Sequence, residues 1–136
     1  MTIWSSRLLS LLRIIAALLF MEHGLMKLFQ FPVAQAGVPD PLPTMLVIAG
    51  VIELVGGALL TVGLFTRAVA FLCAGEMAVA YLIGHLPSGF WPGANGGSEA
   101  ILYRVIFLYL VAAGAGDVSI DAHLSRRAAS GHPMTR

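Results

Sequence analysis

The chain has 136 residues, 58% of them hydrophobic and 11% charged, with a formal net charge of +1 and a mean hydropathy of +0.87. Soluble domains are roughly 45–50% apolar and about 25% charged, so the composition excludes an ordinary soluble domain and points to an integral membrane protein. The scattered Lys and Arg give no basic field for nucleic acid, and the lone cysteine, Cys73, leaves no intrachain disulfide or CxxC redox pair.

The first apolar segment, residues 6–29, has the roughly 17–25 residues that a spanning helix needs. It ends in FMEHGLMKLFQF, which sets Glu22, His23 and Lys27 among apolar neighbours. Arg13, Ala17, Phe20, Gly24 and Lys27 follow the alternating +4, +3 spacing of one helix stripe, with His23 beside it, so this stripe should face other helices. A secretory signal is the rival reading, with Ala34-Gln35-Ala36 as a small-x-small cleavage site. That site lies too far beyond the apolar core, with Lys27 and Pro32 between.

After the proline-rich connection QFPVAQAGVPDPLP, a second segment covers residues 44–64, and Gly50, Glu53, Gly57 and Leu60 share one of its stripes. Small residues there permit close helix approach. Only Phe65 and Thr66 separate it from a third segment, residues 67–84, which predicts a tight antiparallel hairpin. Cys73, Glu76 and Ala80 line up on that third segment. The connection HLPSGFWPGANGGS leads to a fourth, residues 99–116, which carries Glu99, Tyr103 and Arg104. Trp4, Phe90 and Trp91 suit interfacial anchors.

The expected architecture is therefore all-α: an integral membrane four-helix bundle forming one domain over residues 1–124, followed by a solvated cytoplasmic tail over 125–136. Arg7, Arg67, Arg126, Arg127 and Arg136 all fall on the side of the termini, so both termini should be cytoplasmic.

Arg13, Glu22, Lys27, Glu53, Glu76 and Arg104 all lie within the spans. Each would cost about 2.5–3.5 kcal/mol unpaired at the bilayer centre, so they must be paired, neutralised or snorkelled. Counting from the segment midpoints puts Glu53 and Glu76 near the middle, and Glu22, His23, Lys27, Glu99 and Arg104 in the outer half. Arg13 alone falls in the inner half, where its side chain can reach the cytoplasmic interface. This concentration predicts an outward polar pocket of His23, Lys27, Glu53, His85, Glu99 and Tyr103, and a buried charge network of Arg13, Glu22, Glu76 and Arg104. Glu22 should meet either Arg104 or a second protomer. A purely architectural reading competes, in which the ion pairs only fix helix packing.

Arg13, His23-Gly24, Lys27-Leu28-Phe29, Glu53, Gly56-Gly57, Gly63-Leu64, Thr66-Arg67, Met77, His85, Gly97, Glu99, Gly114 to Gly116, Ser119 and Asp121 together resemble the DoxX family of small four-helix membrane proteins. The resemblance covers almost the whole chain, roughly residues 7–124; Glu22 and Glu76 are not part of its pattern. It implies a protein of the bacterial cytoplasmic (inner) membrane, similar to the membrane subunit of thiosulfate:quinone oxidoreductase and associated with redox chemistry.

The leading expectation is a quinone-linked redox accessory subunit. It would have no intrinsic cofactor and would use a bound quinone or other small amphiphile, a redox partner protein and the lipid bilayer, with a homo-oligomer also open. His23 and Lys27 would donate to the quinone oxygens, Glu53 or Glu99 would carry protons, and Tyr81 or Phe90 would line the slot. A non-catalytic scaffold that docks a partner is the alternative. A proton-coupled carrier using Glu53 and Glu76 lacks the inverted repeats expected of one. A zinc or iron site of His23, His85, Glu53 and Glu99 matches no ligand spacing.

Overall fold

The computed structural model describes residues 3–130, so the expected tail residues 131–136, with Arg136, lie outside the described residues. Among the described residues the chain forms six α-helices and no strand. They are α1 (Ile3–Phe29), α2 (Thr44–Val62), α3 (Thr66–Ala80), α4 (Pro92–Asn95), α5 (Ser98–Ala113) and α6 (Ile120–Ser130). A π-helical turn, Tyr81–His85, and a 3-10 turn, Leu86–Ser88, carry α3 onward.

Three helical stretches are long and apolar enough to cross a membrane: Ile3–Phe29, Thr44–Val62 and Thr66–Ser88. The fourth apolar helix, α5, has 16 residues and stops where Gly114 takes φ 86°. It ends short of the expected 116 because that glycine turns the chain. The expected tail is also partly ordered, since residues 120–130 form the helix α6.

Two close pairings make the bundle, α1 along α2 and α3 along α5, joined through the α2–α3 hairpin. Glycine sets the first: a Cβ on Gly24 would fall 2.7 Å from both the Gly50 carbonyl oxygen and the Leu54 amide nitrogen. One on Gly57 would fall 2.7 Å from Met21 Cβ. Backbones this near exclude lipid and gain dispersion along their length. The predicted α1 stripe is the buried face, with Arg13, Ala17, Phe20 and Gly24 all inside. Opposite it, Leu11, Ile15, Leu18 and Val51 are exposed, a surface suited to acyl chains.

The end of the bundle where α2 meets α3 is held by charge on helix termini. Arg13, fully buried, donates from Nη1 to Leu60 O and to Thr61 O (2.9 Å), closing the α2 C-terminus. Its Nε reaches Ala115 O at 2.9 Å and its Nη2 reaches Val118 O at 2.5 Å. Arg13 is thus consumed within the protein rather than extended to the interface. Arg67 Nη1 similarly donates to Val111 O (2.5 Å) and Ala112 O (2.8 Å) at the end of α5. The Asp121 carboxylate accepts from the amides of Phe65 and Thr66, both at 2.9 Å, and so caps the N-terminus of α3. Cations at C-termini and an anion at an N-terminus are what helix dipoles favour.

Substitutions at two glycines should separate packing from propensity. Gly24→Ala drives a methyl into backbone and should destabilise by about 1–3 kcal/mol or more. Gly75→Ala, with nothing within 4 Å of the added carbon, should be neutral or gain up to about 1 kcal/mol; thermal melting in detergent gives both. Partial burial pushes the Asp121 carboxyl up, but the Thr66 and Phe65 amides and the Arg13 charge outweigh it and hold it below the usual carboxylate range. Its contribution is therefore full at neutral pH and lost as pH falls through that depressed value. Asp121→Ala should melt below wild type at neutral pH, with the gap closing as the pH falls below the usual carboxylate range.

Candidate functional site

At the opposite end, α1, α2, the end of α3 and the start of α5 converge around a polar chamber of about 220 Å³. Its lining includes His23, Lys27, Gln35, Glu53, His85, Glu99 and Tyr103. All six residues expected to form a polar pocket thus share one cavity. Lys27 meets Glu53 across the α1–α2 contact, with side chains only 10% and 3% exposed. That contact exists because Gly24 and Gly50 bring the two backbones together just below it. His23 Nε2 meets Glu99 Oε1 at 3.0 Å, at the more open side of the chamber.

Aromatic rings form the floor. Phe20 packs edge-on to Phe107 with centroids 4.8 Å apart and lies 5.5 Å from Tyr103. Tyr103 in turn meets His23 edge-on at 6.1 Å. The π-helical turn shifts the register of α3 and brings His85 to the wall, where its Nδ1 lies 3.1 Å from Asn95 O. Such turns often mark functional positions. Asn95 itself is held by its own contacts to Gly89 O (2.7 Å) and the Gly97 amide (2.8 Å). Stacked beside His85, Tyr81 donates to Phe90 O at 3.4 Å, and Phe90 is exposed. These two support the loop rather than the slot expected of them.

An apolar groove lies beside the chamber. Because α1 and α5 touch at few points, an apolar groove of about 480 Å³ opens between them, lined by residues such as Leu12, Ile15, Leu19, Leu102 and Ile106. Glu99 and Tyr103 line both this groove and the polar chamber. From Leu8 to Leu19 the groove follows α1 for about 16 Å.

The four charges expected to form a second network are not brought together. Arg13 is at the far end on backbone carbonyls. Arg104 is exposed, Glu22 is half-buried, and no ion pair joins them among the described residues. Both Glu76 carboxylate oxygens are buried without a hydrogen-bond partner. Nor do the described residues contain a cluster of three or more His, Cys, Asp or Glu placed to hold a metal ion. Gln35 is the polar lining residue that sequence reasoning missed; the available signal was an amide flanked by Ala34 and Ala36 in the first long connection.

Removing Lys27 alone should be costly. Lys27→Met strands the buried Glu53 carboxylate and should destabilise by about 3–5 kcal/mol, whereas the double variant Lys27→Met/Glu53→Gln should recover most of that loss. Denaturant or thermal unfolding of the two variants checks the sign and order.

Comparison with known proteins bears on the family of the chain. The DoxX family model matches residues 8–86, which hold most of α1 and all of α2 and α3 with its π-helical extension. A Haemophilus influenzae protein, described only as an uncharacterized protein, is 47% identical over 120 residues, covering 83% of this chain and 87% of that one. No solved structure matches the chain. With more than half its length matched and so similar a relative, the chain belongs to the DoxX family.

Proposed function

We propose that this protein is a quinone-linked accessory of a membrane redox system, holding the ring of a quinone-type amphiphile in the polar chamber and its tail in the α1–α5 groove. One observation carries the reading: Glu99 and Tyr103 border both spaces, so a molecule with an apolar tail and a polar head can occupy them together. The two volumes, about 220 and 480 Å³, suit the roughly 300–1,000 Å³ of small-molecule sites.

The chain's own residues bind and orient. Aromatic walls hold the ring, Lys27 offers N–H to a ring oxygen, and the Glu53 and Glu99 carboxylates can take or return protons. A quinone supplies two-electron chemistry when bound, and the electrons are exchanged with a partner protein. In this reading α1, α2, α3 and α5 all cross the bacterial cytoplasmic membrane, α5 with local thinning of the bilayer. The arginine end faces the cytoplasm, in keeping with Arg7, Arg67, Arg126 and Arg127 near it.

Purified protein in lipid nanodiscs should bind a decyl-substituted para-benzoquinone, or its reduced form, saturably. Ile106→Trp, which fills the groove, should weaken that binding by about tenfold or more without loss of helical signal. Wild-type protein that binds neither form, or a groove variant that binds like wild type, would overturn the proposal.

A further inference from the structure

Donors and acceptors in the chamber are unequal. Among the described residues, the buried side-chain atoms without a hydrogen-bond partner are all oxygens: Glu53 Oε2, Gln35 Oε1, both Glu76 oxygens and, at the arginine end, Thr66 Oγ1. Glu53 and Gln35 are chamber residues, and the Glu53 side chain is only 3% exposed. Glu76 immediately precedes Met77, which also lines the chamber.

The two histidines are committed as donors. His23 Nε2 faces the Glu99 carboxylate and His85 Nδ1 faces the Asn95 carbonyl, so each of these nitrogens donates. In the neutral imidazole, His85 Nε2 is then one more acceptor. Lys27 gives one N–H to Glu53 and retains others, since an ammonium has three. An incoming head group therefore meets the N–H groups of Lys27 and the Gln35 amide together with several acceptors, of which the Glu53 and Gln35 oxygens are buried and without a partner.

A quinone carbonyl only accepts. It can use Lys27, but it leaves the Glu53 and Gln35 oxygens unsatisfied and keeps water from reaching them. A hydroxyl does both, accepting from Lys27 while donating to a neighbouring acceptor. Resting on the functional reading above, we infer that the chamber recognises the reduced, dihydroxy form of its ring ligand in preference to the oxidised, dicarbonyl form, with Glu53 as the residue that sets the preference. Glu53 acts here as a specificity residue; the inference concerns which form is held and requires no electron transfer within this chain.

The test uses the full chain in lipid nanodiscs under anaerobic conditions, with probes that share a decyl tail. They are a para-benzoquinone, its hydroquinone, and the dimethyl ether of that hydroquinone, which keeps both oxygens but cannot donate. The hydroquinone should bind about tenfold tighter than either of the others, the size expected of one buried hydrogen bond made or lost. Glu53→Gln, which can place an amide N–H where the free oxygen was, should erase or invert that ranking. Equal affinities for the probes, or tighter binding of the quinone, would overturn the inference and leave the amphiphile reading standing. Failure of wild type to bind any probe would remove both. A preference unchanged in folded Glu53→Gln would overturn the part given to Glu53. Should that variant fail to fold, the wild-type comparison of hydroquinone with its dimethyl ether still decides.

Discussion

Hydrocarbon offers a charge no partner, so an ionised group in a spanning helix must find one inside the protein or reach the interface. The Lys27–Glu53 pair meets that demand at one end of the bundle and depends on how near α1 comes to α2. Gly24 against the Gly50 carbonyl fixes that separation; with larger residues the lysine and the acid would be held apart by their own backbones. The same two helices carry the opposite solution at their other end, where the Arg13 guanidinium spends its donors on Leu60, Thr61, Ala115 and Val118 carbonyls. One contact stripe is therefore polar at both ends and apolar between, with Ala17 and Phe20 fully buried along it.

The second pairing, α3 with α5, completes the site by leaving a gap rather than by closing one. Since α5 packs on α3 and barely touches α1, the space between α1 and α5 stays open, and its upper boundary is shared with the chamber through Glu99 and Tyr103. The α1–α2 pairing supplies the charged wall of the chamber, and the distance between α1 and α5 leaves the apolar groove beside it.

Much of this was legible in the sequence because few ways exist of burying six charges in four apolar segments. The α1 stripe from Arg13 to Lys27, the small-residue face around Glu53 and a pocket around His23, Lys27, Glu53 and Glu99 follow from helical periodicity and depth counting. Three things did not. Periodicity says that Arg13 faces inward, but it cannot say that four backbone carbonyls would take the place of an acid. Glu76 shares a face with Cys73 and Ala80, yet the partner expected for it is absent, and its oxygens are buried alone. The groove comes from the spacing between α1 and α5, a tertiary quantity with no local pattern, and neither Tyr81 nor Phe90, the expected liners of a ring slot, is among the residues that line it. Gln35 escaped for a related reason, since a residue in an irregular loop has no period by which to aim it.

The stretch after α5 looks in sequence like an appendage beyond the last apolar segment. Yet Ala115 and Val118 accept from Arg13, the Val118 amide donates to Ser10 Oγ at 3.1 Å, and the Asp121 amide donates to Gly63 O at 2.9 Å. Its Asp121 carboxylate caps α3 as well. This stretch is a clasp that fastens three helices after the last of them has been laid down. During synthesis, the earlier helices would hold Arg13 without half its acceptors and α3 without its cap until the ribosome has moved well past α5, so the bundle locks only when its final turns emerge.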